Sequence, residues 1–318
     1  MKVLVLNKNN IVPDTNNSKL RFKFNSTVNF KKKSKIAISK INMYYSWQNI
    51  SDQFNNRTFS YSWWDASGNS TSFTLTIPQG YYAVDDINNW MYGELLERNH
   101  YLTYPGATSV NVKGYSNGID YVASTTKYIF IELMDNSTYY SLQFRLYSLP
   151  TFSASPTTYN KPNNIGGFDW RVPSNVTVNS FSHNQSPKII IPSTNKFCDL
   201  VGFAPGTYGT GYMRGAYEDV LSTYTPTIDP VGSVLVQCSM ANNIYATPSN
   251  LIDSFTYAVD YGAMIAIENN NLNWINIAEG AYSEFFIEFK NQNYGNLIIK
   301  DPSMVITMII DEPEEEIK

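Results

Sequence analysis

The 318 residues are 43% hydrophobic and 15% aromatic, enough to bury roughly three quarters of the surface the unfolded chain would expose, which excludes an intrinsically disordered chain. Twenty-three basic against 27 acidic residues leave a net charge of -4, which excludes attraction of the whole surface to nucleic acid or an anionic membrane. Two cysteines and two histidines exclude a disulfide framework and leave little for metal or general-base chemistry.

The opening "MKVLVLNKNN" has an apolar run too short for a secretory signal, and "SMVITMII" near the other end is far below the roughly 20 residues a membrane helix needs. Synthesis in a cytosol, with no membrane span, is the expectation. Residues 1–17 read as an N-terminal arm. Period-two alternation then takes over. "LRFKF" sets Leu20, Phe22 and Phe24 against Arg21 and Lys23, the pattern of a strand solvated on one face. The basic run "FKKKSK" reads as a solvated turn between two strands, with Lys31, Lys32 and Lys33 as candidates for a contact with nucleic acid.

In "KIAISKINMYYSW" the parity changes: Ile36 and Ile38 share one face, whereas Ile41, Met43, Tyr45 and Trp47 share the other. A β-bulge near Ser39-Lys40 restores a single apolar face. "FTLTI" alternates again through Phe73, Leu75 and Ile77. Pro78 and Gly80 then end the strand, and the spacing predicts an amphipathic helix over about 84–98. Its stripe is Ile87, Trp90 or Met91, and Leu95; Asn88, Asn89 and Glu97 lie opposite. Asp85 and Asp86 fall in its first turn, where carboxylates favour the free N–H groups and the positive end of the dipole.

"YIFIELM", "GSVLVQCS" and "SMVITMII" are nearly continuous in apolar residues and read as strands buried on both faces or pressed against a second sheet. "YYSLQFRL" and "EFFIEFK" alternate. Residues 149–175 lack periodicity and are rich in turn formers, so a loop excursion is expected over about 149–186. "DEPEEEIK" reads as an acidic tail from about residue 312 to 318. With "KIII", these stretches make about a dozen short strands, which predicts an all-β sandwich or barrel with one core over 18–311.

Chemistry is sparse in this pattern. His100 and His183 sit in polar surroundings that read as exposed, and neither neighbours a nucleophile motif. Cys198 and Cys238 read as buried reduced thiols without metal-ligand spacing. Glu132, Glu218, Asp219, Asp253, Asp260 and Glu268 are the carboxylates that a β-sandwich hydrolase could pair, but each reads more simply as a strand or loop residue. "PGTYGTGYMRG" lacks the Gly-Lys-Ser/Thr ending of a phosphate loop and reads as a flexible connection. No cofactor is expected. The excess of 24 Tyr, 17 Phe and 6 Trp suits contact surfaces better than turnover.

Several stretches, in order, resemble one family: "KIAISKINMYYSWQNIS" with "TFSYSW", then "FTLTIPQGYYAVDDINNWM", "LVGFAPGTYG", "SVLVQCSMANN", and "WINIAEGAYSEFFIEFKNQNYGNLIIKDPSMVITMII". They look like the penton, or minor capsid, protein of virophages and Polinton-like viruses, over about residues 18–310. The residues carrying the likeness are Pro78, Gly80, Tyr81, Asp85, Asp86, Ile87, Trp90, Asp301 and Pro302. Ala83 stands where such sequences often have a Ser or Thr cap, a difference of about 1 kcal/mol, and "KNQN" replaces a more usual Asp-Gln turn.

The resemblance implies a single jelly-roll β-sandwich with one short helix and long loop insertions, assembled as a homopentamer at icosahedral vertices. Its partners would be its own copies and a double-jelly-roll major capsid protein; any nucleic-acid contact would be weak and internal. The helix would close the sandwich. The 149–186 excursion, with Tyr159, Phe168 and Trp170, would be free to meet a host receptor. Carbohydrate binding or host attachment by a jelly roll is the rival reading, and a β-sandwich hydrolase a weaker one.

Overall fold

The computed structural model describes residues 1–64, 70–98, 100, 102–103, 111–114, 126–129, 131–147, 184–210, 212–213 and 217–313. The chain begins with β1 (Lys2–Asn7), a single 3-10 turn (Lys8–Asn10), β2 (Lys19–Phe30) and β3 (Lys35–Tyr44). It then runs through β4 (Thr58–Trp64), β5 (Ser70–Thr76), α1 (Val84–Glu97), β6 (Leu102–Thr103), β7 (Asn111–Gly114), β8 (Thr126–Ile129), β9 (Ile131–Asn136) and β10 (Ser141–Tyr147). β11 (Asn184–Gln185), β12 (Lys188–Ile191), α2 (Phe197–Val201), β13 (Gly206–Tyr208), β14 (Tyr212–Met213) and β15 (Tyr217–Leu221) follow. Last come β16 (Val234–Cys238), β17 (Leu251–Phe255), β18 (Met264–Glu268), β19 (Ile275–Asn276), β20 (Gly280–Asn291) and β21 (Val305–Asp311). The chain divides into two compact units, one of residues 1–48 with 231–318, the other of residues 49–230.

The first unit is the jelly roll. One sheet has the order β1-β21-β3-β18 and the other β17-β16-β20-β2, with every pairing antiparallel. The pairs nest: β1 with β21, β2 with β20, β3 with β18, and β16 with β17. That is one long hairpin of paired strands wrapped into two layers, the connectivity that defines a jelly roll. These eight strands, and the short β19 that also pairs with β3, lie outside residues 49–230, so the second unit is an insertion between β3 and β16. Residues 2–7, expected in an arm, form an edge strand of the first sheet.

Alternation produces the core. Phe285, Ile287 and Phe289 of β20, Val234, Val236 and Cys238 of β16, and Ile306, Met308 and Ile310 of β21 are all buried. The strand in "SMVITMII" therefore buries one face only, not two. In β3 the pairing steps from Met308 opposite Ile38 to Thr307 opposite Lys40, so Ser39 is the extra residue of a bulge. Ile36, Ile38, Ile41 and Met43 consequently all face inward, as the parity change requires.

An aromatic knot joins the ends of this unit that flank the insertion. Trp47 is buried and its Nε1 donates to Tyr257 Oη at 3.1 Å, whose hydroxyl donates in turn to the Val231 carbonyl. Tyr45 packs against Trp47, Tyr257 and Tyr261 with centroids 4.7, 4.6 and 5.5 Å away.

The second unit carries a sheet β13-β12-β4-β5 and a sheet β15-β10-β9, with minor sheets β11-β14 and β6-β8-β7; β7 and β8 are parallel. Phe59, Tyr61, Leu75, Phe144, Ile189 and Phe197 form the centre of its core, and the Phe59 and Phe197 rings stack at 4.6 Å. Helix α1 belongs here: Val84, Ile87, Met91 and Leu95 are buried in that core. The stripe expected to close the jelly roll is thus buried in the core of the second unit. Trp90 packs half-buried at the rim of the cluster. Asn88, expected on the polar face, accepts a 2.8 Å hydrogen bond from the Leu133 N–H of β9. A second, five-residue helix, α2, follows the buried Asn195, whose amide donates to Thr58 while its oxygen accepts the Phe197 N–H.

Candidate functional site

Residues singled out for the family resemblance hold their own segments in place. Gly80 exchanges backbone hydrogen bonds with Ile50 at 3.0 and 3.1 Å, and a Cβ at Gly80 would stand 2.9 Å from the Tyr82 ring. Asp86 Oδ2 accepts the Ala83 N–H at 3.0 Å. The Ala83 methyl cannot return the bond, so the N-terminus of α1 has only half of a capping box. In the jelly roll, Asp301 receives the Ser303 N–H at 2.7 Å and donates its own N–H to Ser46 Oγ at 3.0 Å. Pro302 follows, its carbonyl accepting the Met304 N–H at 2.8 Å. Pro78 and Asp85 are exposed and Tyr81 half-buried.

Four of the six carboxylates that a hydrolase could have paired have local partners. Arg145 grips Asp219 with two bonds of 2.7 and 2.9 Å, and Glu268 lies against Lys40, whose hydrogen bond holds its carboxyl below the usual range. Glu218 accepts from the Thr210 N–H and hydroxyl at 3.0 and 3.1 Å, and Asp253 from Asn269 at 2.8 Å. Among the described residues no three His, Cys, Asp or Glu side chains gather as metal ligands would. Both cysteines are free; burial pushes the Cys238 thiol up to about 12, while half-exposed Cys198 is raised by its own burial and by Asp199.

His100 is buried, not exposed. Its Nδ1 lies 2.7 Å from Tyr61 Oη, and its ring meets Phe73 edge-on at 4.6 Å. Burial raises the Tyr61 phenol. An aromatic slot fills the role that a polar neighbourhood in the sequence suggested solvent would fill. His183, Tyr159, Phe168 and Trp170 lie outside the described residues.

Surfaces are where the described molecule departs from a plain sandwich. Outer positions of the first jelly-roll sheet carry Val3, Val5, Val305, Met264 and Tyr44, with exposures of 64%, 50%, 40%, 53% and 37%. Register puts Val5 beside Thr307, Val305 beside Asn42, and Tyr44 beside Met264, and the Lys40–Glu268 pair is set among them. The other sheet presents the opposite character: Arg21 and Lys23 are exposed on β2, and Glu288 bridges Lys19 and Lys290 at 2.6 and 3.0 Å. Apolar residues at both parities of "SMVITMII" were the sequence signal for the first face; of the two readings, burial on both faces fails and one face turned to the core of a two-sheet unit holds.

Two further exposed features stand out. The turn between β2 and β3 displays Lys31, Lys32 and Lys33, closed by the Ser34 N–H to the Lys31 carbonyl at 3.1 Å, with Lys33 at φ +75°. In the second unit, Tyr139 and Tyr140 project from the β9–β10 turn with exposures of 68% and 78%. No helix is long and apolar enough to cross a membrane among the described residues.

No family model matches this chain, and no curated protein matches it. Among solved structures, it is similar to one described as the crystal structure of the selenomethionine-labelled mavirus penton protein. The two share 10% identity over 98% of this chain and 99% of that one, with a TM-score of 0.41. A superposition that loose does not establish a common fold, and the jelly-roll assignment stands on the strand order alone.

Proposed function

We propose that this chain is a structural virion protein, a penton or minor capsid protein of the virophage and Polinton-like virus class. Five copies would close a ring at each icosahedral vertex and abut a double-jelly-roll major capsid protein. The observation that carries this reading is the set of exposed apolar side chains, Val3, Val5, Val305, Met264 and Tyr44, on the outer face of the β1-β21-β3-β18 sheet, on a jelly roll whose opposite face is charged. Monomeric proteins rarely leave such a face uncovered. A second copy is the occupant we favour, since a ring repeats one contact five times and each contact reinforces closure.

On this reading the protein is made in a host cytoplasm and resides in the capsid, and it needs neither cofactor nor catalytic residue. Contact of Lys31, Lys32 and Lys33 with packaged nucleic acid would be weak and internal, and would fade with salt. The loop bearing Tyr159, Phe168 and Trp170 would contact a host receptor; full infectivity after deletion of residues 155–168 would end that part of the proposal.

Mass photometry of the purified chain, alone and with major capsid protein, tests the assembly. The expected result is a species of five chains with five-fold negative-stain class averages, lost on Val3→Lys with Val5→Lys while the circular dichroism spectrum is kept. A chain that stays monomeric in both conditions rejects the proposal. One feature favours a second reading, attachment to carbohydrate: the exposed Tyr139 and Tyr140, since tyrosine faces stack on sugars. Glycan-array binding by a monomer, abolished in Tyr139→Ala, would select it.

A further inference from the structure

The β2–β3 turn shelters a cavity of about 290 Å³ lined by Asn29, Lys31, Ser34, Glu312 and Pro313. Ser34 is 1% exposed, and its hydroxyl has no hydrogen-bond partner. The backbone around it is satisfied: the Ser34 N–H donates to the Lys31 carbonyl at 3.1 Å, and its carbonyl accepts the Ile277 N–H at 2.8 Å. A buried hydroxyl left unpaired is destabilising, so its retention at a polar cavity points to a ligand that supplies the partner.

The donor set selects the chemistry. Ser34 offers an O–H, Asn29 an amide N–H and Lys31 an ammonium. Lys32 and Lys33 on the turn and Lys35 at the start of β3 are exposed nearby and add positive charge. Among the described residues Glu312 is the one carboxylate in the lining, and both its oxygens are held by Lys2 Nζ at 2.9 Å, which offsets its charge. A metal cation would meet a single carboxylate already engaged. An oxyanion made only of acceptors meets three kinds of donor.

We infer that the cavity under the β2–β3 turn binds a phosphate group, with Ser34 Oγ, Asn29 Nδ2 and Lys31 Nζ as its donors. The group comes either from free phosphate or from a phosphodiester backbone, for which the consecutive lysines provide a track. The inference is separate from the assembly reading: a monomer that binds phosphate would reject the pentamer and leave this site standing.

The test uses the full chain with inorganic phosphate as probe, against chloride at matched ionic strength, read by calorimetric titration and thermal unfolding. Wild type should bind and should melt higher with phosphate, because a ligand of the folded state stabilises it. Ser34→Ala should bind about tenfold more weakly, the loss of one charge-assisted hydrogen bond. Without phosphate it should melt no lower than wild type, because the hydroxyl it removes had no partner.

Lys31→Met should weaken phosphate binding as well. Equal phosphate binding by wild type and Ser34→Ala overturns the inference. So does a marked drop in the melting temperature of phosphate-free Ser34→Ala, which would reveal a structural partner for the hydroxyl. Competition by a twelve-residue oligothymidylate, weakened by Lys32→Ala with Lys33→Ala, identifies the phosphodiester as the source; phosphate binding without competition identifies the free ion.

Discussion

Tyr140 holds a left-handed backbone at φ +53° in the turn that joins β9 to β10, a conformation that costs a residue with a Cβ about 1–2 kcal/mol relative to glycine. Its ring is largely exposed, so little packing offsets that strain. Tyr140→Gly should therefore stabilise the protein by about 1 kcal/mol, measured by urea titration, and a loss of stability would show that the ring is packed. The helix residues sort by depth in the same experiment. Ile87 is fully buried, and Ile87→Ala should cost about 2–5 kcal/mol. Half-buried Trp90 should cost less on truncation than Ile87.

The thiols divide at this scale too. Half-exposed Cys198 should react slowly with an aromatic disulfide in the native protein, faster as pH rises, because its thiol is raised above the ordinary value. Cys238 should react only after unfolding. Burial of its neutral form contributes stability that is full below the unfolded value of 9.0 and is lost as pH climbs toward about 12. Reaction of both thiols at equal rates in native buffer would contradict this assignment.

Ser39 sets the register of an entire strand. Because side chains alternate, removing the bulged residue would turn either Ile36 and Ile38 or Ile41 and Met43 out of the core. Deletion of Ser39 should abolish cooperative thermal unfolding followed by circular dichroism, and a native-like melt would show that β3 can slip without loss. Helix α1 illustrates a different bond between elements. Its buried stripe provides the energy of docking, and Asn88 fixes its position by capping a backbone N–H of β9 at 2.8 Å. Asn88→Ala leaves that N–H unpaired and should cost about 1–3 kcal/mol in urea titration.

Two compact units share one chain, and the jelly roll is complete without the second. The Trp47–Tyr257–Val231 relay holds together the chain ends between which residues 49–230 are inserted. Replacing that segment by a short Gly-Ser linker should leave an all-β protein that unfolds cooperatively, detectable by circular dichroism and by retained tryptophan burial. Trp47→Ala in that shortened protein should cost about 3–5 kcal/mol. A molten product from the linker replacement would show that the jelly roll depends on its insertion.

Local pattern determined much of this molecule: the alternating strands, the bulge forced by the parity change before Ile41, the amphipathic period of α1 and the β2–β3 lysine turn are properties of a few neighbouring residues. Partnership between distant segments was decided only in three dimensions. Hydrophobic burial is non-directional, so the stripe of α1 carries no mark of which core receives it, and "SMVITMII" none of whether its second face meets a sheet or solvent. A polar neighbour in sequence likewise could not reveal that Tyr61 and Phe73 enclose His100, or that the hydroxyl of Ser34 is buried without a partner.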